Sequence, residues 1–95
     1  MNKKAFTYIG FAIKAKKIIY GGDNIIRAFK VCKLIIMSEN INRTTAYKIN
    51  KNAEKYMVPV LNISTDEIFE YISRDNTKVF AITDKNLAEA VRENI

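Results

Sequence analysis

Ninety-five residues, 48% of them hydrophobic and 27% charged, make one domain's worth of chain, enough for a single compact core and too few for two. This apolar content and a lone proline exclude a disordered or low-complexity chain. One cysteine, Cys32, and no histidine rule out an internal disulfide framework and leave a Cys/His zinc site without ligands. Cys32 reads as a half-buried small apolar residue.

The net charge of +6 is unevenly spread. Residues 1–60 hold twelve Lys or Arg against three acids, Asp23, Glu39 and Glu54, whereas residues 61–95 hold four cations against seven acids. A basic portion on an otherwise balanced domain is the electrostatic footprint of a polyanion partner, bound in a salt-sensitive way, although many small proteins are simply basic and solvated. No apolar run approaches the roughly 18 residues of a transmembrane helix. The opening Met1-Asn2-Lys3-Lys4 leads into a stretch interrupted by Lys14, Lys16 and Lys17 rather than into a signal-peptide core. A cytoplasmic location with no membrane partner is expected.

In chain order, Phe6, Ile9 and Ile13 are spaced by three and four, so residues 3–16 read as an opening helix with lysines outward. Ile18-Ile19-Tyr20 is a short strand ended by Gly21 and Gly22. A second helix over about 24–31 turns Ile25, Ile26 and Phe29 inward and Arg27 and Lys30 outward, with Asp23 as its N-cap. Leu34-Ile35-Ile36-Met37 is a strand without alternation, as expected when both faces are covered. Asn42 caps a long helix over about 42–56 whose buried stripe is Ala46, Ile49, Ala53 and Met57; Lys48, Lys51 and Lys55 form a basic ridge opposite, of a kind more often merely solvated. Residues 58–63 make the third strand, with Pro59 near its start. Ser64-Thr65-Asp66-Glu67 has capping-box spacing and opens a fourth helix with Ile68, Phe69 and Ile72. Val79-Phe80-Ala81-Ile82 is the fourth strand, and Asp84 caps a last helix with Leu87, Ala88 and Val91 inward. The order α-β-α-β-α-β-α-β-α without linkers predicts an α/β fold, a three-layer α/β/α sandwich around one four-stranded mixed sheet.

Taken alone, Gly21-Gly22-Asp23 is an adequate strand-to-helix turn, and Arg27 a solvated charge. Four segments in order, IYGGDNIIRAFK, LIIMSEN, VPVLNISTDEIF and VFAITDKNLA, nevertheless resemble the ribosomal L-seven-Ae family of kink-turn RNA-binding proteins, and the opening and ending look most like its small bacterial YlxQ-like branch. The likeness runs from about residue 5 to residue 92. It implies a non-catalytic RNA-binding protein, a monomer without cofactor, metal or small-molecule substrate, whose partner is a kink-turn, ribosomal or other structured RNA.

Matched to the family's G-x-N-E-x-x-K pattern, Gly21 takes the glycine, Asp23 the Asn, Asn24 the Glu and Arg27 the Lys, so the resemblance implies that this segment reads paired guanines. Asn24 can donate and accept, Arg27 offers a bidentate fork to guanine O6 and N7, Gly21 and Gly22 let backbone approach the RNA, and the helix N-terminus favours phosphate. Asp23 accepts from guanine N–H groups but repels phosphate. The family's second contact is the loop before the fourth helix, here Asn62-Ile63-Ser64-Thr65, where Ile63 would pack on an extruded base; read without the family it is an ordinary strand end. Lys33 and Arg43 are the expected phosphate contacts. Phe69 and Ser73 stand where relatives usually carry glycine and Tyr71 where a small residue is common, and the turn Val31-Cys32-Lys33 is about two residues shorter than usual and lacks the usual helix-closing glycine, so this is a divergent chain.

Two other function classes draw on the same residues. An enzyme would use the glycine pair for phosphate or Asp23, Glu39, Asp66 and Asp84 for Mg²⁺, yet neither G-x-G-x-x-G nor a Walker sequence is present. A protein-interaction module would keep the fold, lose the RNA face and recruit exposed aromatics from among Tyr8, Phe11, Tyr47, Tyr56 and Tyr71.

Overall fold

The computed structural model describes residues 2–64 and 77–95. Helix α1 (Lys3–Lys14) leads to β1 (Ile18–Tyr20), helix α2 (Gly22–Arg27), a 3₁₀ turn (Phe29–Val31), β2 (Leu34–Ser38), α3 (Arg43–Tyr56), β3 (Val60–Ile63), β4 (Val79–Ile82) and α4 (Lys85–Glu93). The capping box and the helix expected after Ser64 lie outside the described residues.

The four strands form one mixed sheet in the order β1-β4-β2-β3. β4 runs antiparallel to both neighbours, pairing Ile19 with Ala81 on one side and Ile35 with Ala81 on the other. β2 and β3 are parallel, with Ser38 opposite Ile63. The carboxyl ends of β1, β2 and β3 and the amino end of β4 therefore share one edge of the sheet, and the opposite ends share the other.

Alternation along β2 and β4 divides the core in two. Leu34, Ile36, Phe80 and Ile82 pack with Ala5, Ile9 and Ala12 of α1 and Ala88 and Val91 of α4. Ile35, Met37, Val79 and Ala81 pack with Ile25, Phe29, Cys32, Ile49 and Ala53 beneath α2 and α3. All five residues of β2 are buried, which is why its sequence shows no polar alternation. The three-layer α/β/α sandwich is as expected.

Local chemistry sets most helix boundaries. The Asn42 carboxamide accepts from the N–H groups of Thr44 and Thr45, and the Asp84 carboxylate accepts from Leu87 N–H. Four expectations need correction. Asp23 is not an N-cap: Gly21, at φ +88°, turns the chain earlier, and its carbonyl accepts the first helical bond from Ile25 N–H at 3.0 Å. The second helix is not continuous to residue 31, because Ala28 leaves helical geometry at φ −116°, ψ 28° and the next residues tighten to i→i+3 bonding. Met57 is not in the buried stripe: it takes the left-handed conformation that ends α3 and is 89% exposed. The third strand starts at Val60 rather than Val58, with Pro59 just ahead of it still accepting from Ile35 N–H.

Candidate nucleic-acid interface

The edge of the sheet where β1, β2 and β3 end is knit by backbone bonds between neighbouring strands. Gly21 N–H donates to the Val79 carbonyl, Ser38 N–H to the Lys78 carbonyl and Glu39 N–H to the Ile63 carbonyl. Ser38 is fully buried at the centre of this rim, and its hydroxyl accepts from Asn40 N–H to turn the chain toward α3. With strands about 4.8 Å apart, the rim from Gly21 to Ile63 spans roughly 14 Å.

At its β1 corner the backbone does what only glycine does well. Gly21 holds a positive φ that other residues avoid, and Gly22 lies so close to α3 that a Cβ there would stand 2.5 Å from Thr45 Cγ2. That approach draws the start of α2 against the start of α3. Asn24 then bridges strand and helix: its amide donates to the Tyr20 carbonyl at 2.9 Å, and its oxygen accepts from Arg27 Nη2 at 2.5 Å. Asp23 is exposed in the first turn of α2, where a carboxylate suits the helix dipole. Arg43, exposed in the first turn of α3, opposes that helix's dipole.

The residues expected to contact RNA do not all gather here. Gly21, Gly22, Asp23 and Asn24 lie at the β1 corner, with Arg27 tied to it through Asn24; Arg43 opens the adjacent helix, and Ile63 and Ser64 end β3 at the far corner. Ile63 is half-buried, its side chain packed on the core beneath α1 and α4. Thr65 lies outside the described residues. Lys33 is at the other edge of the sheet, at the amino end of β2, where its N–H donates to the Ile82 carbonyl. Lys78 was missed: it directly precedes β4, the antiparallel strand, and so stands exposed at the rim.

The same register divides the carboxylates of the enzyme reading. Asp23 and Glu39 belong to the rim, whereas Asp84 caps α4 beyond the other end of β4, and Asp66 lies outside the described residues. Among the described residues, no group of three or more His, Cys, Asp or Glu side chains is placed to hold a metal ion. Burial pushes the Cys32 thiol up to about 11, with Lys33 pulling weakly the other way; this is opposite to what activates a nucleophilic thiolate. No described helix is long and apolar enough to cross a membrane.

No family model matches the chain. In sequence it is similar to the RNA-binding protein YlxQ of Bacillus subtilis, at 27% identity over 86 residues, covering 87% of this chain and 86% of that protein. In fold it is similar to a Bacillus halodurans protein of unknown function, with a TM-score of 0.85, 18% identity and coverage of 97% of this chain and 96% of the other. A 15.5 kD RNA-binding protein of Giardia lamblia superimposes with a TM-score of 0.77 at 14% identity, over 98% of this chain and 86% of that one. The sequence likeness bears out the resemblance to a YlxQ-like protein, and the two structural likenesses show that the fold is shared.

Proposed function

We propose that this chain is a non-catalytic RNA-binding protein that grips structured RNA, of the kink-turn kind or within ribosomal RNA, along the rim running from Gly21 to Ile63, and that it does so as a monomer in the cytoplasm. The observation that carries the reading is the β1 corner: a positive-φ glycine, a second glycine pressed against α3, and an arginine held by Asn24 beside the strand end. Gly21 leaves room for a sugar-phosphate backbone, Gly22 lets α2 seat against α3, and the Arg27 fork reads guanine O6 and N7. Asn24 orients that fork more than it reads bases itself, since its donor and its acceptor both have partners within the chain. Arg43 and Lys78 supply phosphate attraction near the rim, while Lys33 acts only at long range. Similarity to a named RNA-binding protein over most of the chain supports the choice of partner.

The test is a titration at fixed salt against a standard kink-turn RNA and a stem of equal length lacking the tandem G·A pairs. The kink-turn is expected to bind more tightly, and Arg27→Ala to cost about 1 to 3 kcal/mol of that binding. Equal affinity for both RNAs would reduce the function to general electrostatic attraction.

A further inference from the structure

The outer ridge of α3 is not absorbed by the rim. With about 100° of rotation per residue, Tyr47, Lys48, Lys51 and Lys55 fall within an arc of roughly 100°, opposite the buried Ile49 and Ala53. Tyr47 is 62% exposed, so its ring contributes little to the core. Lys51 Nζ lies 5.5 Å from the centre of that ring, and Lys55 Nζ lies 5.4 Å from the centre of the Tyr56 ring, which itself stacks on Phe29 at 5.7 Å. Lys48 and Lys51 are three residues apart, Lys51 and Lys55 four, and like charges at these spacings destabilise the free helix. Glu54 is the only carboxylate within α3, whereas α4 carries two acids and two cations. A helix that crowds cations beside an exposed aromatic ring is built as a nucleic-acid platform would be, with flat surface for a base and ammonium groups for the adjoining phosphates.

We propose that this ridge is a second RNA-binding site, specific for single-stranded rather than duplex RNA: Tyr47 stacks an unpaired base while Lys48, Lys51 and Lys55 follow the phosphates. A nucleotide replaces the present Lys51–Tyr47 contact on both sides, its base taking the ring and its phosphate the ammonium. The ridge from Lys48 to Lys55 is about 10 Å long and accommodates a few nucleotides. The site rests on RNA being the partner but not on the rim's selectivity for a bend.

The experiment titrates the full chain with a twelve-residue oligouridylate and, in parallel, with a blunt-ended kink-turn duplex. Wild type is expected to bind the oligouridylate. Replacing all three lysines (Lys48→Gln, Lys51→Gln, Lys55→Gln) should weaken that binding at least about tenfold at 0.1 M salt and flatten the log affinity against log salt slope by about 2, from roughly 0.7 per single-strand phosphate. Tyr47→Ala should weaken it about 5- to 50-fold with the slope unchanged, and Tyr47→Phe should restore it. Lys85→Gln, exposed on α4 at the other face of the sheet, should leave it intact. Unaltered oligouridylate binding in the triple or the Tyr47→Ala variant, or none by wild type, overturns the proposal whatever the kink-turn does. Failure of the kink-turn alone overturns the rim and leaves the ridge standing. These substitutions are all on exposed positions, and thermal melts of each variant confirm that folding is intact.

Discussion

Both ends of the sheet carry exposed cations, and they differ in geometry. At the end with Gly21, Ser38 and Ile63, two glycines permit close approach and an arginine is held by an asparagine. At the other end, Lys16, Lys17 and Lys33 are exposed, Lys16 itself takes the left-handed turn at φ 58°, and Thr83 N–H donates to the Lys17 carbonyl in a plain connection. Positive charge alone therefore does not single out a binding site; what distinguishes the first end is backbone and side-chain arrangement that a simple turn does not need.

This contrast can be broken or sharpened by substitution. The largest effect is expected at Gly22, where Gly22→Val forces atoms into Thr45 and should cost about 3 kcal/mol in denaturant unfolding, partly recovered by Thr45→Ser. Full stability in the single variant would show that α3 yields freely there. Next comes Cys32, adjoining the other end. Its thiol ionises near 11 in the fold against 9.0 for the free group, so the native state holds the proton more tightly. Stability from this group is complete below pH 9 and lost as pH rises through 11, by up to about 2 to 3 kcal/mol, a loss that Cys32→Ala should lack in parallel pH titrations of unfolding. In binding, Arg27→Ala should cost about 2 kcal/mol on a kink-turn, whereas Lys33→Ala should change it by less than about 0.5 kcal/mol. Equal losses would mean that charge rather than position governs affinity. The smallest effect is at Lys16, where Lys16→Gly relieves the left-handed strain and should raise stability by no more than about 1 kcal/mol.

Much of the architecture was legible in the residue pattern because its signals are local. The unbroken run from Leu34 announced a strand buried on both faces, and Asn42 and Asp84 announced two helix starts that their side chains do cap. Where the reading failed, a backbone torsion had decided. Asp23 was a sound N-cap choice by residue type, but a glycine two positions earlier had already turned the chain. Met57 continued the apolar spacing of α3 and fell one residue past its end. Lys33 and Lys78 failed differently: whether a cation near a strand terminus reaches the rim depends on which way that strand runs, and strand direction follows from pairing across the sheet. A right-handed crossover from β1 to β2 would have put Lys33 at the far end, so this part could have been deduced. The antiparallel insertion of β4 between them has no local signature.

The brace from Tyr20 through Asn24 to Arg27 bears on speed and discrimination as well as on strength. An arginine left loose must surrender several bond rotations when it meets its target, whereas one already propped against a neighbour has relinquished part of that freedom beforehand. Cutting the prop with Asn24→Ala would leave the guanidinium its full charge, so encounters would stay as frequent while complexes fell apart sooner and wrong sequences were tolerated more readily.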